Sequence, residues 1–435
     1  MILVYSHKIT NRINYIFQLI FRDILNVEVQ LTSNIEDFEN HSGVKFSYGK
    51  NPIGDELFFG SEKLLFERGI KYYDLSFIEF ESLPAFFPVF HKSSVLPFDV
   101  FSAAFYLVSR YEEYLPYRKD EYGRFSANES VAFQKGFLLK PVVNIWAYQI
   151  GKILNEKFPG FEFSGHKYKF IPTIDIDAAW SYKQKGLFRT LGGYANSLIK
   201  LNFEDIIERS KVLFGNLPDP FDTYEYQHAI HRKYKLNAIY FILFAEYGFN
   251  DKNIPVRSRR FQTLIKSLAD YNKVGIHPSY NSNDYPKKLR LEVEALSHVL
   301  NRPVTKSRQH FLKILLPTTL RNLINLDITD DYSMGYAAQP GFRASICSSY
   351  KFYDLDLDTE TKLNLHPFTY MEGTLKDYLG VTPEKAIEII KLLVDEVKSV
   401  NGTFISLWHN ESLSDQKRWK GWRTVYEEMI KLALP

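Results

Sequence analysis

Apolar positions set two rhythms along this chain, and they change over near residue 160. In residues 1–150, apolar runs at 2–5, 44–48 and 57–60 predict short strands. Between them Ile13, Ile16, Phe17, Ile20, Phe21 and Ile24 recur at helical spacing. Asp99 stands as an N-cap ahead of Phe101, Phe105, Leu107, Val108 and Tyr111, which predicts a helix. That helix must end before the polar loop at 118–125. After Phe158-Pro159-Gly160, short apolar runs alternate with amphipathic stretches, the pattern of βαβ units and a mainly parallel sheet. Strands are predicted at 169–174, 238–244, 273–276, 303–306, 325–328, 343–346 and 403–408. Helices are predicted between them at 257–271, 286–300 and 383–400. The last has Thr382 to cap it, Pro383 in its first turn, and one stripe of Ile387, Ile390, Val394 and Val397. The fold class is therefore α/β, with a smaller mixed α/β domain at 1–150 followed by a larger (β/α) unit at 165–435. By strand count alone that unit fits a (β/α) barrel or an open doubly wound sheet equally well.

Composition narrows the function classes. The 435 residues are 45% hydrophobic and 24% charged, which excludes a wholly disordered chain. A net charge of +3 with no basic stripe argues against a dedicated nucleic-acid binder. The single cysteine, Cys347, excludes an internal disulfide framework and a Cys-rich zinc site. No charged segment followed by an unbroken apolar core opens the sequence, so no signal peptide is read. The most apolar stretch, 95–108, contains Asp99 and falls short of the roughly 18 residues of a membrane span. The chain reads as a soluble, cytoplasmic protein. No Gly-x-Gly-x-x-Gly or Walker-type loop appears, which argues against nucleotide chemistry.

Polar residues gather where the predicted strands end, the rim on which parallel α/β folds collect their chemistry. Thr173-Ile-Asp175-Ile-Asp177 closes the first strand, and His277-Pro-Ser279-Tyr-Asn281 follows the third. Ser307-Arg308-Gln-His310 follows the fourth, Asp330-Asp331 the fifth, and Trp408-His409-Asn410-Glu411 the last. Asp175 and Asp177 lie two apart and share one face of an ideal strand. Two carboxylates so close repel unless a proton or a cation relieves them. A divalent metal could take an oxygen from Asp177 and a nitrogen from His277. Read singly, the aspartates could instead cap a following helix and His277 could be structural.

The order Thr-Ile-Asp175-Ile-Asp177, His277-Pro-Ser279, Arg308 and Leu407-Trp-His409 resembles that of the NodB-homology polysaccharide deacetylases, family-four carbohydrate esterases. The resemblance covers roughly residues 165–435 and implies a distorted (β/α) barrel, with 1–150 as an added N-terminal domain. It implies a metal-dependent hydrolase that removes an N-acyl, first of all acetyl, group from an amino-sugar glycan or glycan precursor. Asp175 would be the general base, Arg308 would hold it, and His409 would be the general acid. Asp177 and His277 would bind a divalent metal, zinc before nickel or cobalt. Asp330 or Asp331 would stand near the fourth family motif.

Asn281 stands where the family has its second metal histidine. Either its amide oxygen serves as the ligand, or another group such as His310 completes the shell, or the metal has been lost. The last case leaves a catalytically silent protein that binds a glycan or a protein partner. Ser279, Arg343 and Trp408 are expected to contact the sugar, although Arg343 could equally form a buried salt bridge and Trp408 could belong to the core.

Overall fold

The computed structural model describes all residues 1–435. The chain is a mixed α/β protein built on two main sheets. The first is wholly parallel and takes β1 (Ile2–Tyr5), β2 (Val29–Thr32), β3 (Lys45–Gly49) and β4 (Leu57–Gly60) in the order β2-β1-β3-β4. A small hairpin of β5 (Phe77–Phe80) and β6 (Leu83–Phe86) follows. The stripe from Ile13 to Ile24 does become helical, as Asn11–Phe17 running into wider turns over Gln18–Ile24. Asp99 caps the helix Val100–Val108 by accepting from the Ser102 N–H.

The larger sheet has nine strands. They are β7 (Lys169–Ile176), β8 (Ile239–Ile242), β9 (Lys273–Ile276), β10 (Lys306–Ser307), β11 (Asp330–Asp331), β12 (Tyr350–Asp354), β13 (Thr359–Leu365), β14 (Tyr370–Met371) and β15 (Thr403–His409). Their order is β12-β13-β11-β10-β9-β8-β7-β15-β14, and every pairing is parallel except β12 with β13. No pairing joins β14 to β12, so the ladder is open where the sequence had implied a barrel. The seam is bridged by irregular backbone: Gly341 N–H donates to Thr369, and Thr403 N–H donates to Cys347. Val143 N–H, at the start of the helix Val142–Lys157, donates to Ser345. The sheet still curls, because Phe241, Tyr332, Phe368, Ile405 and Leu407 meet in one small buried cluster on its inner face. Gly275 permits this. A side chain there would fall 2.7 Å from the Lys306 carbonyl oxygen and 2.8 Å from the Phe241 ring.

The predicted strand at 325–328 is displaced to Asp330–Asp331, and that at 343–346 is absent. Arg343 is drawn into a buried ion pair with Glu113 at 2.6 Å, and Ser345 takes a positive φ of 54° that breaks any strand. Apolar residues of both main sheets merge in one large buried core. No helix is long and apolar enough to cross a membrane.

Candidate functional site

Six neighbouring strands, β10-β9-β8-β7-β15-β14, deliver polar side chains to one rim. The register sets Asp175 of β7 directly beside His409 of β15. Asp177 follows β7, His277 follows β9, Arg308 and His310 follow β10, and Glu372 follows β14. Together they line a cavity of ≈ 250 Å³ whose walls also carry Arg124, Phe311, Tyr378, Arg418 and Trp419. Arg308 itself lies just behind this wall, fully buried.

Each histidine is oriented through its Nδ1. His277 Nδ1 lies 2.5 Å from the Arg308 carbonyl oxygen, which can only accept, so that nitrogen carries hydrogen. His310 Nδ1 is 2.9 Å from Asp251, and His409 Nδ1 is 2.8 Å from Glu372. All three Nε2 atoms therefore face Asp177, at 3.3 Å for His277, 3.5 Å for His310 and 3.8 Å for His409. Asp177 Oδ1 is buried and yet makes no hydrogen bond. The donor atoms of Asp177, His277 and His310 lie within 4.8 Å of one another. Ligand atoms about 2.0–2.1 Å from a tetrahedral zinc are about 3.3 Å apart, close to the distances at which His277 and His310 already stand from Asp177. Histidines held at Nδ1 by a carbonyl or a carboxylate are the usual outer support of metal ligands.

Charge follows from this packing. Burial works to raise the Asp177 carboxyl, but His310, His277 and His409 outweigh it and hold it well below the usual range. The side chain keeps 37% of its surface open to the cavity. Burial disfavours the charged form of His310, yet Asp177 and Asp251 push its pKa up to about 9. His409 is likewise raised well above its ordinary value, against burial, by Glu372 and the two aspartates. A cation at Asp177 would take the place of the proton on the His310 nitrogen that faces it.

Asp175 is buried and accepts from Arg308 Nη1 at 2.9 Å, while Thr173 accepts from the same nitrogen at 2.6 Å. Its other oxygen lies 3.7 Å from His277 Nε2. Four residues read as site groups from the sequence are used otherwise. Asn281 is exposed in a short turn and does not reach the cavity, because the chain turns its side chain outward and His310 fills the third position. Ser279 is buried with its N–H and hydroxyl both spent on Glu292, so it shapes the loop behind His277. Arg343 is locked to Glu113, and Trp408 is fully buried with its indole N–H donated to Tyr370.

Asp330 and Asp331 also stay out of the cavity. Asp331 accepts from Ser307 and Ser333, and Asp330 pairs with His366 at 2.7 Å and Lys306 at 3.1 Å. Burial acts to raise Asp330, but His366, Thr329 and Lys306 hold it well below 3.8. A carboxyl depressed on folding stabilises above its unfolded pKa and loses that contribution as pH falls below it. Asp330→Asn should therefore flatten the fall in melting temperature below about pH 4. An unchanged acid limb would show that Asp330 does not contribute.

Sequence reasoning missed Asp251, Glu372, Arg124 and Trp419. Each stands alone in the sequence, with no spacing to mark it, and only the fold brings it to the rim.

Residues 2–159 match the model of a family described only as a family of unknown function (DUF7033). No curated protein matches the chain. Among solved structures it is similar to a Mycobacterium smegmatis protein named as a polysaccharide deacetylase, with 14% identity, 62% of this chain and 85% of that one covered, and a TM-score of 0.40. It is also similar to a polysaccharide deacetylase from Bacillus cereus, with 9% identity, 61% and 86% covered, and a TM-score of 0.29. A third likeness is to a CE4 family pseudoenzyme from Bacillus anthracis, with 12% identity, 61% of each chain covered, and a TM-score of 0.29. At such low overlap the functional reading rests on the site itself.

Proposed function

We propose that this cavity is a cation-assisted hydrolytic site that removes an N-acyl group, acetyl in the first instance, from an amino sugar of a glycan or glycan precursor. One observation carries the reading: three imidazole Nε2 atoms, each fixed from behind, converge on the Asp177 carboxylate, His277 on its unpartnered Oδ1 and His310 and His409 on Oδ2. Asp177, His277 and His310 would hold a divalent ion, zinc before nickel or cobalt. When bound, such an ion polarises an amide carbonyl and a water molecule.

The chain's own groups divide the proton transfers. Arg308 fixes one oxygen of Asp175 and leaves the other facing the cavity, where it can accept a proton from attacking water. The water oxygen bonds to the acyl carbon as the C–N bond breaks. His409, kept protonated by Glu372, gives its Nε2 proton to the departing amine. Arg308 and Glu372 act as positioning residues. Phe311, Tyr378 and Trp419 offer apolar faces at the mouth on which a sugar ring can stack. Residues 1–150 would form an accessory domain that shapes this mouth, since Arg124 lies on its wall. A silent binding role drew its support from Asn281, and His310 offers the nitrogen that Asn281 lacks.

The test is acetate release from chitooligosaccharides by the full chain with added zinc. Release should stop with a chelator and return with zinc. A zinc-loaded protein that releases nothing from a panel of acetylated amino sugars would refute the hydrolase reading.

A further inference from the structure

The helices Leu187–Ile199 and Phe203–Phe214, which follow β7, form a hairpin whose polarity is reversed. Between the two helices, around the buried Val212, many contacts are polar. Tyr194 and Ser210 share a hydrogen bond, Ser197 donates to Asp205, and Arg209 pairs with Asp205 at 3.0 Å while lying over the Tyr194 ring. The outer side is apolar. Leu187, Phe188, Leu191, Leu198 and Ile199 fall within about a third of a turn on the first helix, and all are exposed, Phe188 at 89%. Phe203, Ile207 and Phe214 make the matching stripe on the second, with Phe214 83% exposed. Phe249, also 89% exposed, lies in the neighbouring loop, where Arg189 of the hairpin lies over Tyr247.

An ordinary surface helix turns its apolar stripe inward. Monomeric proteins rarely leave a contiguous apolar patch much above a few hundred Å² uncovered. Charge shows which cover fits. Residues 183–217 hold six Lys and Arg against three Asp and Glu. Two of those acids are spent, Asp205 inside the hairpin and Glu208 on Lys417 and Tyr182. Lys200, Lys211 and, beside Phe249, Lys252 are exposed near the apolar face, and Lys183, Arg259 and Arg260 outnumber Asp222 in one recess. A second copy paired across a two-fold axis would set this basic rim against itself. An apolar face ringed by cations matches the interface of an anionic lipid bilayer.

We propose that the hairpin docks on an anionic membrane surface, its apolar stripes entering between headgroups and its lysines meeting their phosphates. The docking face and the cavity share one rim. The hairpin leaves β7 at the end that carries Asp175 and Asp177, and Glu208 grips Lys417 beside the cavity residues Arg418 and Trp419. This inference does not depend on the chemistry inside the cavity.

Flotation of the full chain with vesicles tests it. Binding is expected to vesicles of phosphatidylcholine with about one-third phosphatidylglycerol, to weaken with salt, and to be far lower with phosphatidylcholine alone. The triple variant Phe188→Ser, Leu191→Ser, Phe214→Ser alters exposed positions only and should cut the bound fraction about tenfold or more. The pair Lys200→Glu, Lys211→Glu should abolish the preference for anionic vesicles. Sedimentation of wild type and variants in parallel reads the competing occupant. A wild type that ignores both vesicle types overturns the proposal, whether it is monomeric or forms a dimer that the triple variant dissolves.

Discussion

Asp175→Asn is expected to lower acetate release by about 10²–10⁴-fold, the range a positioned proton acceptor supplies. The amide keeps an oxygen for Arg308 Nη1, which lies 2.9 Å from the carboxylate, so the local structure should persist. What is lost is the capacity of the second oxygen to take a proton. Zinc uptake should be nearly unchanged, because the cation set is Asp177, His277 and His310. That combination, metal retained and turnover gone, separates a lost base from a damaged site. A variant that turns over at the wild-type rate would move the base elsewhere.

The second large effect lies far from the cavity. Glu113 receives Arg343 Nη2 at 2.6 Å and Arg110 Nε at 2.8 Å, and all three side chains are buried. Arg110 also pairs with Glu112 and donates to the Arg343 carbonyl and the Tyr336 hydroxyl. Burial acts to raise the Glu113 carboxyl, yet the two guanidinium groups hold it below its ordinary value. This network bolts the N-terminal part of the chain to the loop that bridges the open seam of the large sheet. Glu113→Ala strands the buried Arg343, takes one of two carboxylates from Arg110, and should cost about 3–5 kcal/mol, read as a lower denaturant midpoint. Glu113→Leu with Arg343→Met, which removes both charges of one pair, should recover part of that loss. If Glu113→Ala leaves the midpoint in place, the network does not hold the two parts together.

Local signals made much of the framework readable. The helix Pro286–Leu300 begins on its proline, and Pro383–Ser399 is capped by the Thr382 hydroxyl through Lys385 N–H. Buried parallel strands such as Lys273–Ile276 and Thr403–His409 are short apolar runs, which a sequence displays directly. The antiparallel pair Tyr350–Asp354 and Thr359–Leu365 escaped notice because it closes one edge of the sheet and its longer strand alternates more and less exposed positions, most of them polar. The run at 343–346 misled in the other direction, since its burial comes from an ion pair contributed more than 200 residues earlier in the chain.

In the site, the residues at strand ends were legible because β strands deliver them. The sequence offered His310 as one of several ways to complete the shell, and only the turn after β10 reveals that its ring lies beside that of His277, with centroids 4.9 Å apart. Asp251 and Glu372 fix two of the three imidazoles, but each is a single acid that no spacing marks. The reversed hairpin carries a further lesson. Amphipathic spacing announces two faces and does not say which one the protein keeps inside.

The central claim is that Asp177, His277 and His310 form one cation seat and that Asn281 takes no part. Zinc titration of the full chain, followed by calorimetry and metal analysis, tests this most directly. The account predicts one zinc per wild-type chain and an unaltered affinity in Asn281→Ala. His310→Ala should lose more than the roughly 100-fold that removal of an outer-shell partner costs. A wild type that takes up no zinc, or an affinity that falls with Asn281 and not with His310, would contradict it.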